Sequence, residues 1–563
     1  MCGIAGFIDF NHKSTLENLQ AMTIVMPHRG PDGQGEFLEE LDTASIGLGH
    51  RRLSIIDLSH AADQPMHFGK LSIVYNGEIY NYNEIREELI GLGHQFETHS
   101  DTEVILHSWK EWGEAGITKW RGMFAILLVD RETQKVTCIR DRAGVKPFFY
   151  FFKNGLFLFG SELKCLMAHP AFEKVLNPAA VASFLQYGYV SAPYSIFADT
   201  HKLMPGHLLE ICLKKRTLRS KQYWNVYDYY NKPKLKISLP EAISETEKIL
   251  KKAFEYRMVS DVPVGVFLSG GYDSTCVTAL LQQGRTEKIK TFTIGAVDAK
   301  LDEAPFAKEI AQRLGTDHTE YYCSIDEAKD IIPTLPEYFD EPFADSSAIP
   351  TILVCRMARE KVTVALSADA GDEVFAGYNR YDYISRYGDK LKAIPAPLRK
   401  MGAYAMSKIS SESIPVLKNK ANFHSRYDKL KNLLRDPSPA QLLKNLSVVF
   451  SDVEMEEFMA APFKELSTAH TSKELKEEHY DALSFMMAVD YQTYLADDIL
   501  QKVDRAGMSV SLEGREPFLD QHIIEWAAQL PSDYKYHQGI KKYPLREIVH
   551  QYIPKEMMDR PKM

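Results

Sequence analysis

The stretch 262–275, which reads VPVGVFLSGGYDST, joins an apolar run to a helical pattern through two adjacent glycines. Val262–Leu268 is typical of a buried strand, and Thr275–Gln282 is typical of a helix. Adjacent glycines let the backbone fold closely around phosphate oxygens, and a helix N-terminus supplies free N–H groups and a positive dipole. Asp273 fits beside phosphates only if a divalent cation bridges them. The stretch therefore predicts pyrophosphate binding with Mg²⁺, and the alternative is an ordinary N-capped helix start.

The alternation of buried strand and helix continues on the C-terminal side of this stretch. Ile289–Ile294 precedes the helical pattern of Ala304–Leu314, and Val362–Ser367 follows the helical pattern of Ile349–Glu360. Such an alternation predicts an α/β domain with a doubly wound parallel sheet. From about residue 382 to the end the periodicity is helical, so we expect a helical C-terminal part.

A second polar turn, Ala365–Glu373, follows the later strand run and holds the carboxylates of Asp369, Asp372 and Glu373. Carboxylates this close are costly unless cations or hydrogen-bond donors neutralise them. The surrounding apolar residues and glycines favour a ligand site, and a solvated acidic loop is the alternative. The chain contains no GxxxxGK[ST] sequence, which excludes a Walker-type nucleotide loop.

The first 200 or so residues have a different pattern, with short strand-like runs between Gly, Asp and Asn turns. The runs are Ser45–Leu48, Leu71–Tyr75, Met123–Val129, Val136–Ile139 and Leu156–Phe159. Helical patterns lie between them at Tyr82–Leu92 and Thr102–Trp112. We therefore expect an α+β domain with antiparallel sheets. The Tyr-, Lys- and Pro-rich stretch Tyr223–Leu239 has the composition of a linker.

Cys2 directly follows the initiator methionine and precedes a glycine. A small second residue normally lets the methionine be removed, which leaves a thiol and a free α-amine on one residue. An α-amine has a pKa of about 8, so it can act as the local base for its own thiol. Cys2 is therefore a candidate nucleophile, and the alternative is a chance cysteine at this position.

The bulk composition narrows the class of protein. The 563 residues are 45% hydrophobic and carry a net charge of −9, which suits a multidomain soluble protein with small-molecule ligands and no nucleic-acid surface. The seven cysteines form no CxxC pair, which gives no support to a zinc or thioredoxin-type site. We expect no membrane span, no secretion signal and a cytoplasmic location, because no long uncharged apolar run and no basic-flanked leader occurs.

Five N-terminal motifs together resemble the class II glutamine amidotransferase domain of glutamine-dependent asparagine synthetases, an N-terminal-nucleophile hydrolase. They are Cys2–Ile4, His28–Asp32, Arg52–Asp57, Asn76–Asn81 and Ser100–Val104. The SGGYDS sequence at 269–274 resembles the PP-loop of ATP pyrophosphatases, which cleave ATP between its α- and β-phosphates. The resemblance implies an α+β N-terminal-nucleophile sandwich over residues 1–215, a linker over 216–240, and an asparagine synthetase-type ATP pyrophosphatase domain over 241–563.

The resemblance also implies the roles of individual residues. In the glutaminase site they are Cys2 as nucleophile, Asn76 and Gly77 as oxyanion-hole donors, Arg52 as the clamp on the glutamine carboxylate, Glu78 and Asp101 at its amino group, and Ile55 as a further glutamine-binding residue. At the ATP site they are Phe267, Ser269, Gly270, Gly271, Asp273, Ser274, Ile294, Ser367 and Ala368. Asp273 and Asp372 would hold Mg²⁺, while Asp369 and Lys542 would act in catalysis.

The reaction implied by the resemblance converts aspartate, glutamine, ATP and water to asparagine, glutamate, AMP and diphosphate. It passes through a β-aspartyl-adenylate and channelled ammonia. The resemblance leaves open whether the chain forms a homodimer. The chain departs from the family pattern at Tyr272, where leucine is common, at Ala368 and Ala370, where glycines often occur, and at its end, Met563, where relatives usually continue.

Two alternatives remain for the function. Relatives from bacterial surface-polysaccharide clusters suggest a sugar uronic acid as the acceptor instead of aspartate. A scaffold that keeps the fold without activity is the other alternative, and the presence of Cys2, Asp273 and Asp372 argues against it.

Overall fold

Two antiparallel β-sheets of six strands each form the N-terminal part of the chain. The computed structural model describes residues 2–296, 302–382, 390–391, 393–409, 423–459, 466–476 and 481–559. The strands are β1 (Gly3–Asp9), β2 (Gly33–Glu40), β3 (Ser45–Arg52), β4 (Met66–Phe68), β5 (Leu71–Ile79), β6 (Gly122–Asp130), β7 (Lys135–Arg140), β8 (Phe149–Lys153), β9 (Leu156–Gly160), β10 (Thr200–Lys202), β11 (His207–Cys212) and β12 (Thr217–Gln222). Their order is β10-β8-β9-β1-β3-β2 in one sheet and β12-β11-β7-β6-β5-β4 in the other.

The two sheets pack face to face, and helices cover their outer sides. Alternation along β1 shows this, because Ile4 and Ile8 pack with Val74 of the opposite sheet, whereas Ala5 and Phe7 face a different core. The helices of this part are α1 (Leu16–Ile24), α2 (Tyr82–Gly91), α3 (Asp101–Trp112), α4 (Leu163–Met167), α5 (Pro178–Tyr187) and α6 (Val226–Tyr230).

A five-stranded parallel sheet organises the C-terminal part, in the order β15-β14-β13-β16-β17. Its strands are β13 (Val264–Phe267), β14 (Lys290–Ala296), β15 (Asp317–Cys323), β16 (Val364–Leu366) and β17 (Glu513–Arg515). Helices lie on both faces, because Val364 and Leu366 of β16 belong to one buried cluster and Ala365 to another. The helices up to residue 375 are α7 (Leu239–Tyr256), α8 (Tyr272–Gln282), α9 (Ala304–Leu314), α10 (Ile325–Ile331), α11 (Leu335–Tyr338), α12 (Ala348–Arg359) and α13 (Gly371–Phe375).

The remaining described residues are mainly helical. They form α14 (Ala396–Lys408), α15 (Phe423–Arg435), α16 (Pro439–Ser447), α17 (Asp452–Phe458), α18 (Ala482–Gln492), a π-helix (Leu495–Ile499), α19 (Leu500–Met508), α20 (Gln521–Gln529), α21 (Ser532–Lys535), α22 (Tyr543–Val549) and α23 (Lys555–Met558), with a hairpin of β18 (Tyr536–His537) and β19 (Ile540–Lys541). Among the described helices, none has the length and apolar character that a bilayer crossing demands.

The predicted fold class is confirmed: an antiparallel sandwich with flanking helices precedes a parallel, doubly wound sheet with a helical C-terminal part. The stretch 216–240, predicted to be a linker, begins with strand β12, which pairs with β11 from His207↔Gln222 to Cys212↔Thr217. The pairing extends the N-terminal sheet to residue 222, and α6 and the start of α7 occupy much of the rest.

Buried ion pairs join the two halves of the chain. Arg29, which is completely buried, binds both carboxylate oxygens of Asp504 in α19, at 2.8 and 3.0 Å. Arg121 and Arg257 likewise share the buried carboxylate of Asp520. Arginine with two parallel N–H···O bonds is the strongest geometry for such a pair.

We expect Asp504→Asn to destabilise the protein strongly, because it leaves the buried Arg29 guanidinium with Glu162 as its one remaining carboxylate partner among the described residues. Breaking a buried pair from one side costs about 3–5 kcal/mol of unfolding free energy. Urea denaturation followed by tryptophan fluorescence measures it. The matched control is Glu88→Gln, which removes the exposed pair with Lys119 and should cost less than about 1 kcal/mol. Equal effects of the two substitutions would contradict the prediction.

Candidate functional site

The thiol of Cys2 lies beside strands β3 and β5 at the N-terminal end of β1. The Cys2 backbone N–H donates to Asn76 Oδ1 at 3.0 Å, and the Sγ atom lies 3.8 Å from the carbonyl oxygen of Leu53. Burial raises the pKa of the Cys2 thiol, and the charges of Glu78 and Glu513 act in the same direction. A thiol in this state needs a local base, and the α-amine freed by removal of the methionine is the nearest group of that kind.

Asn76 and Gly77 have the properties of oxyanion-hole donors. Asn76 is fully buried, and its Nδ2 atom has no hydrogen-bond partner among the described residues. A buried amide without a partner is costly, which points to a ligand that accepts its N–H. Gly77 lies against β6 so closely that a Cβ atom would be 2.1 Å from the Met123 carbonyl oxygen. Only glycine fits there.

Glu78 and Asp101 are buried carboxyl groups that interact with each other, and the charge of Glu78 also acts on the Cys2 thiol. The Oε2 atom of Glu78 is buried without a partner in the described part of the chain. Burial, followed by the charges of Glu513 and Asp101, raises the pKa of Glu78 well above its usual value. Asp101, whose pKa burial raises to about 6, accepts hydrogen bonds from Tyr75 OH and Ile79 N, both at 2.9 Å. A ligand ammonium would neutralise this pair of carboxylates.

Arg52 stands at the end of β3, where the register Gly3↔Arg51 brings it next to Cys2. Its Nη1 atom donates to the Ser59 carbonyl and to Asp63 Oδ1, both at 2.7 Å, so the guanidinium is fixed in place. Ile55 is buried, and its carbonyl accepts the N–H of Asp261 from the second half of the chain. Six of the seven predicted glutaminase-site residues are thus Cys2 itself or lie in β3, β5 and α3, and Ile55 lies three residues after the end of β3.

A second site is a cavity of about 710 Å³ at the C-terminal edge of the parallel sheet. All but one of the predicted synthetase-site residues line it: Phe267, Ser269, Gly270, Gly271, Asp273, Ser274, Ser367, Ala368, Asp369, Asp372 and Lys542. Ile294 is the exception among the described residues, because it packs with Ile331 and Ile352.

Lys542 lies in this cavity between Asp273 and Asp372, which come from different segments of the chain. Its Nζ atom contacts Asp273, in the first turn of α8, and lies 2.5 Å from Asp372 Oδ1. Both carboxylates raise the pKa of Lys542, although burial acts against them. The close approach of Lys542 to Asp372 depends on Gly377, because a Cβ atom there would lie 1.8 Å from Asp372 Oδ1 and 1.9 Å from Lys542 Cε. The ammonium is therefore held at the glycine-bearing loop 269–274.

Asp273 and Asp372 are suited to a Mg²⁺ ion that arrives with its nucleotide. The described residues contain no group of three or more His, Cys, Asp or Glu side chains that could hold a metal. Mg²⁺ usually takes one or two protein carboxylates and completes its coordination with phosphate oxygens and water. The two aspartates around one ammonium, at the end of α8, fit this donor set.

The structure explains two of the departures from the family pattern. The Tyr272 ring stacks under the Arg546 guanidinium at 4.3 Å, and its hydroxyl lies 3.4 Å from Asp559 Oδ1, so it attaches the C-terminal segment to the loop. Ala370 has φ +74°, the left-handed region that favours glycine, and this costs roughly 1–2 kcal/mol. Ala368 lines the cavity, and nothing in the structure explains its methyl group.

The sequence did not reveal how the two sites meet. Gly514 of β17 lines the cavity, while the charge of its neighbour Glu513 reaches Cys2 and Glu78 on the other side. Arg29 donates to the Cys2 carbonyl at 3.1 Å while it binds Asp504. The partners are hundreds of positions apart in the chain, so no local pattern could have identified them.

Comparisons with known proteins agree with both sites. A family model described as asparagine synthase matches residues 245–563, and one described as glutamine amidotransferase domain matches residues 1–224. A putative asparagine synthetase [glutamine-hydrolyzing] 2 of Methanocaldococcus jannaschii is 39% identical over 72% of this chain and 80% of its own. Asparagine synthetase [glutamine-hydrolyzing] 1 of Bacillus subtilis is 32% identical over 100% of this chain and 86% of its own. The amidase chry2 of Gibberella zeae is 26% identical over 100% of this chain and 88% of its own.

Proposed function

Because the chain belongs to the asparagine synthase family, we propose that it forms asparagine from aspartate, with glutamine as nitrogen donor and ATP as energy source. It is an ATP-dependent carbon–nitrogen ligase. The observation that carries the proposal is the position of β17, which has the thiol site on one side and the phosphate-loop cavity on the other. An ammonia-releasing site next to an ATP site suits a coupled amide synthesis.

In the first half-reaction the Cys2 thiolate adds to the side-chain carbonyl of glutamine. Asn76 Nδ2 and the Gly77 N–H stabilise the oxyanion, Arg52 holds the glutamine carboxylate, and Glu78 with Asp101 holds its ammonium. Ammonia leaves, and water hydrolyses the thioester to glutamate. The buried and unpartnered Asn76 Nδ2 and Glu78 Oε2 atoms support these roles.

In the second half-reaction the acceptor carboxylate attacks the α-phosphate of ATP. Diphosphate leaves along the loop Ser269–Ser274, and the β-aspartyl-adenylate remains. Lys542 would stabilise the charge that develops at the α-phosphate, and Asp369, which lines the same cavity, would act on the adenylate and the incoming ammonia. Asp273 and Asp372 would hold Mg²⁺, which neutralises phosphate charge when bound. Ammonia then displaces AMP and gives asparagine.

The ammonia has to pass near β17 between the two sites. Bulk water would protonate it to unreactive ammonium, so a dry passage is required. The buried Arg29–Asp504 and Arg121–Asp520 pairs close the interface between the two halves. The division into 1–215, 216–240 and 241–563 and the cytoplasmic location remain predictions, as does the oligomeric state.

The test is acceptor-dependent diphosphate release by the purified enzyme with glutamine and Mg²⁺–ATP. We expect aspartate to support release and to yield asparagine, AMP and glutamate in equal amounts. A nucleotide-linked uronic acid is the second arm, and release with that acceptor alone would overturn the proposal. Intact mass is a further check, because a retained initiator methionine would contradict the glutaminase half.

A further inference from the structure

The helix α14 presents its larger apolar side chains to the solvent. Leu398, Met401 and Tyr404 are 54%, 63% and 64% exposed, and their spacing of three residues places them on one side of the helix. The other side packs against α15 and contains Ala403, which is buried. A surface helix of a globular protein normally turns its apolar face toward the core. The large apolar side chains of α14 have the opposite orientation.

Basic residues surround this apolar face. The helices α14 and α15 together contain seven Lys and Arg residues and one acidic residue, Asp428, whereas the whole chain carries a net charge of −9. Lys400 and Lys408 are exposed on α14, and the Lys408 Nζ atom lies 5.4 Å from the centre of the Tyr404 ring. Among the described residues, Lys431 alone of these seven basic residues has an ion pair, with Asp428. The positive charge of the two helices is therefore largely uncompensated.

An anionic lipid surface matches both properties of this helix pair. Lys and Arg side chains attract acidic headgroups, while side chains such as Leu and Met enter the boundary between headgroups and acyl chains. A second copy of the chain fits less well, because a symmetric contact through this face would place basic residues against basic residues. A nucleic acid would match the charge but would leave Leu398 and Met401 without apolar partners.

We propose that α14, with the basic α15 beside it, docks the protein on the surface of a membrane that contains anionic lipids. The helix lies in the plane of the interface, with Leu398, Met401 and Tyr404 toward the acyl chains and Lys400 and Lys408 at the level of the headgroups. One short helix with a few charges gives reversible binding, so the protein is divided between the membrane surface and solution. The proposal does not depend on which carboxylate the enzyme amidates.

The experiment is co-sedimentation of the full-length chain with lipid vesicles. One set of vesicles contains equal amounts of phosphatidylglycerol and phosphatidylcholine, and the other contains phosphatidylcholine alone. We expect binding to the anionic vesicles that is at least about 10-fold tighter than to the neutral ones. Salt at about 1 M should weaken it strongly, because the Debye length falls to about 3 Å.

Substitutions on α14 separate the apolar contribution from the charge contribution. Met401→Glu should weaken binding to anionic vesicles about 10- to 100-fold, because it removes a buried apolar side chain and adds repulsion from the headgroups. Lys400→Glu should weaken it at least about five-fold through charge alone. The matched control is Ile90→Glu in α2, because Ile90 is 53% exposed but follows the exposed acids Glu87 and Glu88. It should bind as wild type does.

Equal binding to both kinds of vesicle, or Met401→Glu that binds as tightly as wild type, would overturn the proposal. So would a wild-type chain that ignores vesicles and instead dimerises through this face, which light scattering of wild type and Met401→Glu detects, or one that binds RNA but no vesicles. Urea denaturation checks that each variant folds. If Met401→Glu does not fold, Lys400→Glu decides, since its exposed side chain can change without disturbing the core.

Discussion

In a Cys2→Ala variant we expect amide formation from glutamine to fall at least about 10⁴-fold, the scale for loss of a catalytic nucleophile. The alanine methyl group cannot form the thioester, and the neighbouring Asn76 and Glu78 only bind and polarise the substrate. Amide formation from ammonium chloride should stay within about two-fold of wild type, because the phosphate-loop cavity is built from residues beyond 260. The loss is therefore specific to one nitrogen source.

The measurement is asparagine formation with each nitrogen source, together with glutamate release without ATP. Cys212→Ala is the matched control, because Cys212 is a half-buried free cysteine in β11, away from the site. It should leave both activities unchanged. Glutamate release that survived in Cys2→Ala would mean that another group attacks glutamine, and the assignment of the nucleophile would be wrong.

The second large effect is expected for Lys542→Ala, which should lower diphosphate release at least about 10³-fold with either nitrogen source. The ammonium lies between Asp273 and Asp372 at the loop that we propose holds diphosphate. Without it, the charge that develops at the α-phosphate has lost its closest cation, and two carboxylates remain unneutralised. The effect should fall mainly on kcat, because the transition state carries more charge at this point than bound ATP does.

Aspartate-dependent diphosphate release measures this loss, and glutamate release without ATP reports on the integrity of the first site. Lys361→Ala is the control, because Lys361 is an exposed lysine whose Nζ atom donates to Thr319 Oγ1 at 2.9 Å. It should retain full activity. If Lys542→Ala lowered glutamate release in the same proportion, the role of Lys542 would be to stabilise the fold and not the transition state.

Local signals predicted most of the secondary structure, and most of the residues that the resemblance assigned to each site lie in one region of the structure. The apolar run before SGGYDS and the helix after it became β13 and α8, although α8 begins at Tyr272 and not at Thr275. Hydrophobic periodicity and turn residues act over a few positions, so they can be recognised in a single sequence. The motifs around Cys2 and Asp273 are equally local, and eleven of the twelve predicted synthetase-site residues line one cavity.

The exception, Ile294, shows where this reasoning stops. It is close to the end of a parallel strand, as expected for a residue of the ATP site, but α12 packs against it and takes its side chain into the core. Which neighbour covers a strand end depends on the packing of helices, which no strand pattern encodes.

What the sequence by itself determined is the set of candidate groups in each half: a thiol at position 2, a glycine-bearing loop at 269–274, and the strands and helices that carry them. The tertiary structure decided how the halves meet, through Arg29 with Asp504 and through Glu513 in β17. These contacts depend on charge pairing and desolvation between residues far apart in the chain, so they exist only once both cores have formed.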